Sequence, residues 1–188
     1  MRACTLGQVS EALPTFRYHP SLIRTGSVAQ RPIRCVVCNE DRRHACVGPA
    51  YSVEEIEEGS VCPWCIADGS AAMKLSAEFA DGHSLRDLAK DIVETVTTRT
   101  PGYSSWQQDV WQIHCNDACS FLDRIGKAEL DSPPPEATTA VVNALRDYGR
   151  SDTEREQFLS WLHRDGDLTG YLFQCLVCGE YRAYVDSS

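Results

Sequence analysis

The amino-acid sequence predicts an α+β fold in which small cysteine-bearing β-hairpins pack with several α-helices. Three observations predict it. Cys35-Val36-Val37-Cys38 and Cys62-Pro63-Trp64-Cys65 are two C-x-x-C loops with 23 residues between them. Apolar residues recur at helical spacing through Leu85, Leu88, Ile92, Val93 and Val96, and again through Val141, Val142 and Leu145. Aromatic and β-branched runs at Tyr171-Leu172-Phe173 and Tyr181–Val185 read as strands.

The chain has 188 residues, enough for one domain with its own core, and 43% hydrophobic with 24% charged residues is ordinary for a globular protein. Residues 1–13 read as a flexible extension without the apolar centre of a signal peptide, and residues 14–188 as a single domain. No apolar run reaches the roughly 20 residues of a membrane span, so a cytoplasmic protein is expected.

Taken in order, Phe16–Pro20 is expected to be a short aromatic strand, with His19 a packing residue at its end. Thr25-Gly26-Ser27 is a turn, and Ile33 to Val37 leads into the first knuckle. Asn39 suits a left-handed residue after Cys38. Ala45-Cys46-Val47 is expected to pair back as the second arm of that hairpin. Ser52 with Glu55 fits a capping box opening a short acidic helix through Glu58. Asp68-Gly69-Ser70 caps a helix carrying Ala71, Ala72 and Leu75. Ser84 is a candidate N-cap for a helix to Thr97, and Thr100–Tyr103 is a turn. Trp106, Val110 and Ile113 fall on one face of an expected helix that continues through Cys115 and Cys119, with Trp111 at its margin. Asp131–Pro135 is a loop. Helices follow at 136–148, stopped by Gly149, and from a capping box of Thr153 with Glu156.

Ten cysteines and a reducing compartment favour metal over disulfides. Zinc takes four ligands in a tetrahedron, and each C-x-x-C loop offers two thiolates. Cys35, Cys38, Cys62 and Cys65 therefore form one expected structural zinc site. A thioredoxin-like redox role for Cys62–Cys65 lacks the βαβ pattern such motifs sit in. The second expected site joins Cys115 and Cys119, i and i+4 on the expected helix, to Cys175 and Cys178, where Gly179 again suits a left-handed turn. His114 is read as a packed neighbour, with replacement of a cysteine or a supporting hydrogen bond as the alternatives. Cys4 and Cys46 are left over. The expected cofactor is two Zn²⁺ ions.

Closed four-thiolate sites have no open position for water, and the sequence holds no phosphate loop, H-E-x-x-H or G-x-S-x-G motif. The reading is a non-enzymatic binding protein. A formal charge of −9 counts against nucleic acid and favours a basic protein partner. Glu54, Glu55, Glu57 and Glu58 are a candidate patch. Arg31, Arg34, Arg42 and Arg43 around the first knuckle keep nucleic-acid or transcription-complex binding as an alternative. An enzyme with an open second zinc is the other.

Several segments resemble the CbrC-like family. They are Phe16–Pro20, Gly48-Pro49-Ala50-Tyr51-Ser52, Cys62–Ala72, Arg99-Thr100-Pro101-Gly102-Tyr103, Trp106-Gln107-Gln108, Trp111, His114-Cys115, Cys119 and Tyr171–Gly179. The resemblance spans residues 14–186. It implies an intracellular bacterial protein connected with tolerance to a nuclease colicin, so a nuclease-type toxin is the expected kind of partner. It implies no mechanism and no catalytic residue.

Overall fold

The computed structural model describes residues 12–131, 133–148 and 151–188. The fold is mixed α+β with small sheets, all pairings within the named strands being antiparallel. After an extended segment, α1 (Leu22–Thr25) ends at Gly26, whose φ of 78° is the left-handed cap expected of glycine. Strands β1 (Val28–Ala29), β2 (Ile33–Arg34), β3 (Asp41–Arg42) and β4 (Ala45–Cys46) follow. They form two nested ribbons, β2 with β3 around the first knuckle and β1 with β4 outside it. Ala45–Cys46 therefore pairs with Val28–Ala29, one ribbon further out than its sequence position suggests.

Phe16–Pro20 is not a strand. Its residues are fixed instead by burial of Phe16, Tyr18 and His19, and by the Phe121 N–H donating to the Tyr18 carbonyl at 2.8 Å. No helix opens at Ser52. The Ser52 hydroxyl donates to the Leu75 carbonyl rather than capping its own segment, and residues 52–60 run as bends and turns. Four glutamates and only two apolar residues, of which Ile56 alone packs against the core and Val53 is exposed, give such a helix too little to bury.

Helix α2 (Pro63–Ala67), which the sequence pattern did not announce, grows out of the second knuckle with Pro63 in its first turn, and α3 (Ser70–Leu75) follows where the sequence places it. The expected helix from Ser84 is divided. A 3₁₀ turn at His83–Leu85 precedes α4 (Lys90–Arg99), and the Ser84 hydroxyl is buried without a partner.

The region from Trp106 to Cys119 departs furthest from expectation. It is an irregular run followed by the two-residue strands β5 (Ile113–His114) and β6 (Asp117–Ala118). The expected faces invert: Trp111 is buried, while Trp106, Val110 and Ile113 are exposed. Trp111 is held by its indole N–H donating to the Cys119 carbonyl at 2.8 Å, a link that a helix would not offer.

The main sheet is β7 (Ser120–Ile125), β8 (Leu168–Gln174) and β9 (Tyr181–Ser187), with β8 central. Strand β7 is irregular between Phe121 and Asp123. Helices α5 (Pro135–Tyr148) and α6 (Asp152–Trp161) follow it, α5 lying on β8 and β9. The α6 cap is Ser151, whose hydroxyl accepts the Glu154 N–H, rather than the expected Thr153. The expected stop at Gly149 lies outside the described residues.

Three apolar clusters fill the interior. One surrounds the first cysteine set with Phe16, Leu22, Val28, Val61, Ile66 and Phe79. The second is aromatic, with Tyr103 stacked on Phe121 at 4.1 Å between ring centroids and Trp111, Tyr171 and Phe173 around them. The third lies under α5, with Ile125, Val141, Leu145, Leu162, Leu168 and Leu172. Among the described residues no helix is long and apolar enough to cross a membrane.

Candidate metal centres

Both C-x-x-C knuckles that link strands are built the same way. In the first, the Cys35 N–H donates to the Glu40 carbonyl at 3.0 Å and the Asn39 N–H to the Cys35 carbonyl at 2.8 Å. In the last, the Cys175 N–H donates to the Glu180 carbonyl at 2.8 Å and the Gly179 N–H to the Cys175 carbonyl at 3.0 Å. Asn39 (φ 58°) and Gly179 (φ 78°) supply the left-handed residue that closes each loop. Lys74 donates to the carbonyls of Val36 and Val37 at 3.1 and 2.8 Å, fastening the first knuckle to α3.

The first cluster is Cys35, Cys38, Cys62 and Cys65. Its Sγ–Sγ separations include 3.5 Å for Cys62–Cys65, 3.9 Å for Cys35–Cys65 and 4.0 Å for Cys38–Cys62. A tetrahedron of sulfurs about 2.3 Å from a central ion has edges of about 3.8 Å, whereas a disulfide needs about 2.05 Å. The donors fit an ion. Cys35, Cys62 and Cys65 are at most 3% exposed. Burial pushes the Cys35 thiol up, but N–H groups of Cys38, Cys62 and Val37 together hold it down at about 7. Burial pushes Cys62 up, and Cys65 to about 11, because a buried anion without a counter-charge is costly.

The second cluster is His114, Cys115, Cys175 and Cys178. Cys119 does not join it. The helix that would have set Cys115 and Cys119 one turn apart is a hairpin, and Cys119 is fully buried in the aromatic core. Burial raises its thiol to about 12. His114 stands in its place. Its Nδ1 lies 3.4 Å from Cys115 Sγ and 3.3 Å from Cys178 Sγ, close to the roughly 3.5 Å edge of a mixed nitrogen–sulfur tetrahedron. Its Nε2 faces Glu180 Oε2 at 3.4 Å. A carboxylate on the far ring nitrogen is how a ligating imidazole is usually oriented.

Cys115 and Asn116 both have positive φ, 51° and 57°, the backbone of a two-residue I′ turn between β5 and β6. Asn116 inside Ile113–Ala118 was the sequence signal for this hairpin. The distant halves meet because β7 starts directly after β6 and pairs with β8, with Ser120 opposite Gln174. That register places the β5–β6 turn beside Cys175. Cys175 is buried, and Cys115 and Cys178 are exposed. Burial raises the Cys175 thiol, but N–H groups of Cys178 and Val177 outweigh it and leave it at about 6.

The remaining candidates are placed as follows. Cys46 is buried beside the first cluster without joining it, and burial raises its thiol strongly. Cys4 lies outside the described residues. His19 is fully buried, bonded through Nδ1 to the Pro101 carbonyl (2.7 Å) and through Nε2 to the Thr25 hydroxyl (2.8 Å). Arg34 pairs with Asp41 at 3.2 Å, Arg31 donates to the Glu58 carbonyl at 3.1 Å, and Arg42 lies over the Trp64 ring at 4.9 Å. These arginines are occupied locally.

The fold and its two donor clusters define a small mixed α+β protein with two sites able to hold metal ions. The chain belongs to the uncharacterised protein family UPF0167, whose profile matches residues 13–187. UPF0167 proteins of Mycobacterium bovis and Mycobacterium tuberculosis are each 42% identical to it over 178 residues, covering 94% of both chains. A UPF0167 protein of Pseudomonas aeruginosa is 38% identical over 170 residues, covering 89% of this chain and 93% of its own. No solved structure matches the chain.

Proposed function

We propose that the chain is a non-enzymatic, two-zinc protein whose stiffened surface binds a basic protein partner. The observation that carries the metal half is the presence of two complete four-donor sets, seven thiols and one imidazole, at separations suited to tetrahedral ions. Thiolate and imidazole are the donors zinc prefers, and its d¹⁰ shell accepts a tetrahedron without penalty. Bound zinc would lock the two segments of each site together and would contribute on the order of 10 kcal/mol per site to folding. Four protein donors at each ion leave no position for substrate, which supports a structural rather than catalytic role.

The partner half rests on the formal charge of −9, which draws basic proteins and speeds their encounter at low salt. The resemblance to the CbrC-like family suggests that this partner is a nuclease-type toxin and that binding confers tolerance in the cytoplasm. Immobilised protein loaded with zinc is offered a colicin-type nuclease domain at low and at physiological salt. Retention that weakens as salt rises is the expected result. No retention at low salt would remove the partner reading and leave the metal reading standing.

A further inference from the structure

The segments that carry the family resemblance outside the cysteine clusters have no role in holding metal. Gly48–Tyr51 and Pro101–Tyr103, with Gln107, converge on a cavity of about 360 Å³. It opens between the first cysteine module and the aromatic core, since Cys46, Val61 and Ile66 line one side and Tyr103 the other. A few hundred Å³ is the size of a small-molecule site.

Its walls are fixed by close backbone approach. A Cβ on Gly48 would come within 2.6 Å of the Gly102 carbonyl oxygen, and one on Gly102 would collide with the Phe79 carbonyl. Tyr51 is held by its hydroxyl donating to Asp109, a buried carboxylate that also accepts the Asp81 N–H at 3.0 Å.

The charged residues of the lining are of one sign. Val61, Ile66 and Phe79 are buried and apolar, with Ile56 beside them. Glu57 and Glu58 line the cavity and are exposed. No lysine, arginine or histidine is among the lining residues. The nearby Arg31 guanidinium lies against Gly59 and is bonded to the Glu58 carbonyl. With Arg31 committed to that carbonyl, an anionic ligand would meet two glutamates and no cationic lining residue. A ligand with an apolar stem and one ammonium group meets both halves of the lining.

We propose that this cavity binds an alkyl- or arylalkyl-ammonium group, its stem on Ile56, Val61, Ile66 and Phe79 and its charge between Glu57 and Glu58. The inference rests on the cavity alone and does not depend on the metal or partner readings. The ammonium belongs either to a free amine or to a lysine side chain.

The test is titration calorimetry of the full, metal-loaded chain with hexylamine, hexanol and hexanoate at neutral pH, on the native protein and on E57Q/E58Q. Both glutamates are exposed, and the hydrogen bonds from Ser60 and Arg31 go to their backbone carbonyls, which the substitution keeps, so the variant is expected to fold, as circular dichroism will check. Hexylamine is expected to bind saturably, ahead of hexanol, with hexanoate weakest. The double variant should weaken hexylamine by about fivefold or more, the loss of one charge-assisted contact, and leave hexanol unchanged. A lysine amide capped at its α-nitrogen assigns the source: affinity equal to hexylamine points to a protein lysine, weaker affinity to a free amine, and both support the ammonium chemistry. Hexanoate binding as tightly as hexylamine, hexylamine indifferent to the double variant, or no saturable hexylamine binding would each overturn the proposal.

Discussion

At the scale of single residues, His114 and Cys119 exchange the roles that spacing alone suggests. His114→Ala is expected to lower metal content from two ions per chain to one, because it removes a donor facing Cys115 and Cys178. Cys119→Ala is expected to keep both ions and cost about 1 kcal/mol, as a small cavity in a packed core does. Elemental analysis of both purified variants checks the pair. His19 gives a pH prediction. Burial holds its imidazole down to about 4, against an ordinary 6.5. The folded state therefore binds fewer protons than the unfolded chain between those values. Its contribution is fully present above about pH 6.5 and is lost as pH falls toward 4, up to about 3 kcal/mol in all. Urea unfolding between pH 5 and 7 should show a shallower acid slope in His19→Gln than in the native chain.

At the scale of elements, the knuckles were the most legible and the cysteine-bearing hairpin between them the least. Asn39 and Gly179 declared their left-handed turns by residue type, and both have positive φ. Gly179→Ala should cost about 1–2 kcal/mol from conformation alone, since nothing lies within 4 Å of the added Cβ. Gly102→Ala should cost more, because the Phe79 carbonyl occupies the space its Cβ needs. Denaturant midpoints of the two variants test that order. Residues 106–119 misled because Trp106, Val110 and Ile113 imitate a helical face, while the forces that decide the segment are distant. Burial of Trp111 against Phe173 and the β7–β8 register lie some sixty residues away along the chain. Local periodicity cannot register them. The acidic segment 52–60 misled for the converse reason: Ser52 and Glu55 have capping-box spacing, but the Ser52 hydroxyl donates to the Leu75 carbonyl instead, and of the two apolar residues that follow only Ile56 packs against the core while Val53 is exposed. Strand β7 has no strong local signal because its alternation includes Asp123, a buried carboxylate paired with Arg164 at 2.6 Å and Arg24 at 3.5 Å.

For the whole molecule, the two centres differ in shelter. The first has Cys35, Cys62 and Cys65 buried, and the second exposes Cys115 and Cys178. A chelator reaching the ions through solvent should remove one equivalent early and the other late, and thiol alkylation during the first phase should label Cys115 and Cys178. Simultaneous release would mean that the two modules open together. The partner and amine readings concern surfaces outside both donor clusters.

The most direct measurement is X-ray absorption at the zinc edge on chain purified without added metal, together with zinc content per chain. Seven sulfurs and one ring nitrogen shared over two ions are predicted. A folded chain without zinc, sulfurs joined as disulfides, or eight sulfurs and no nitrogen would contradict the account.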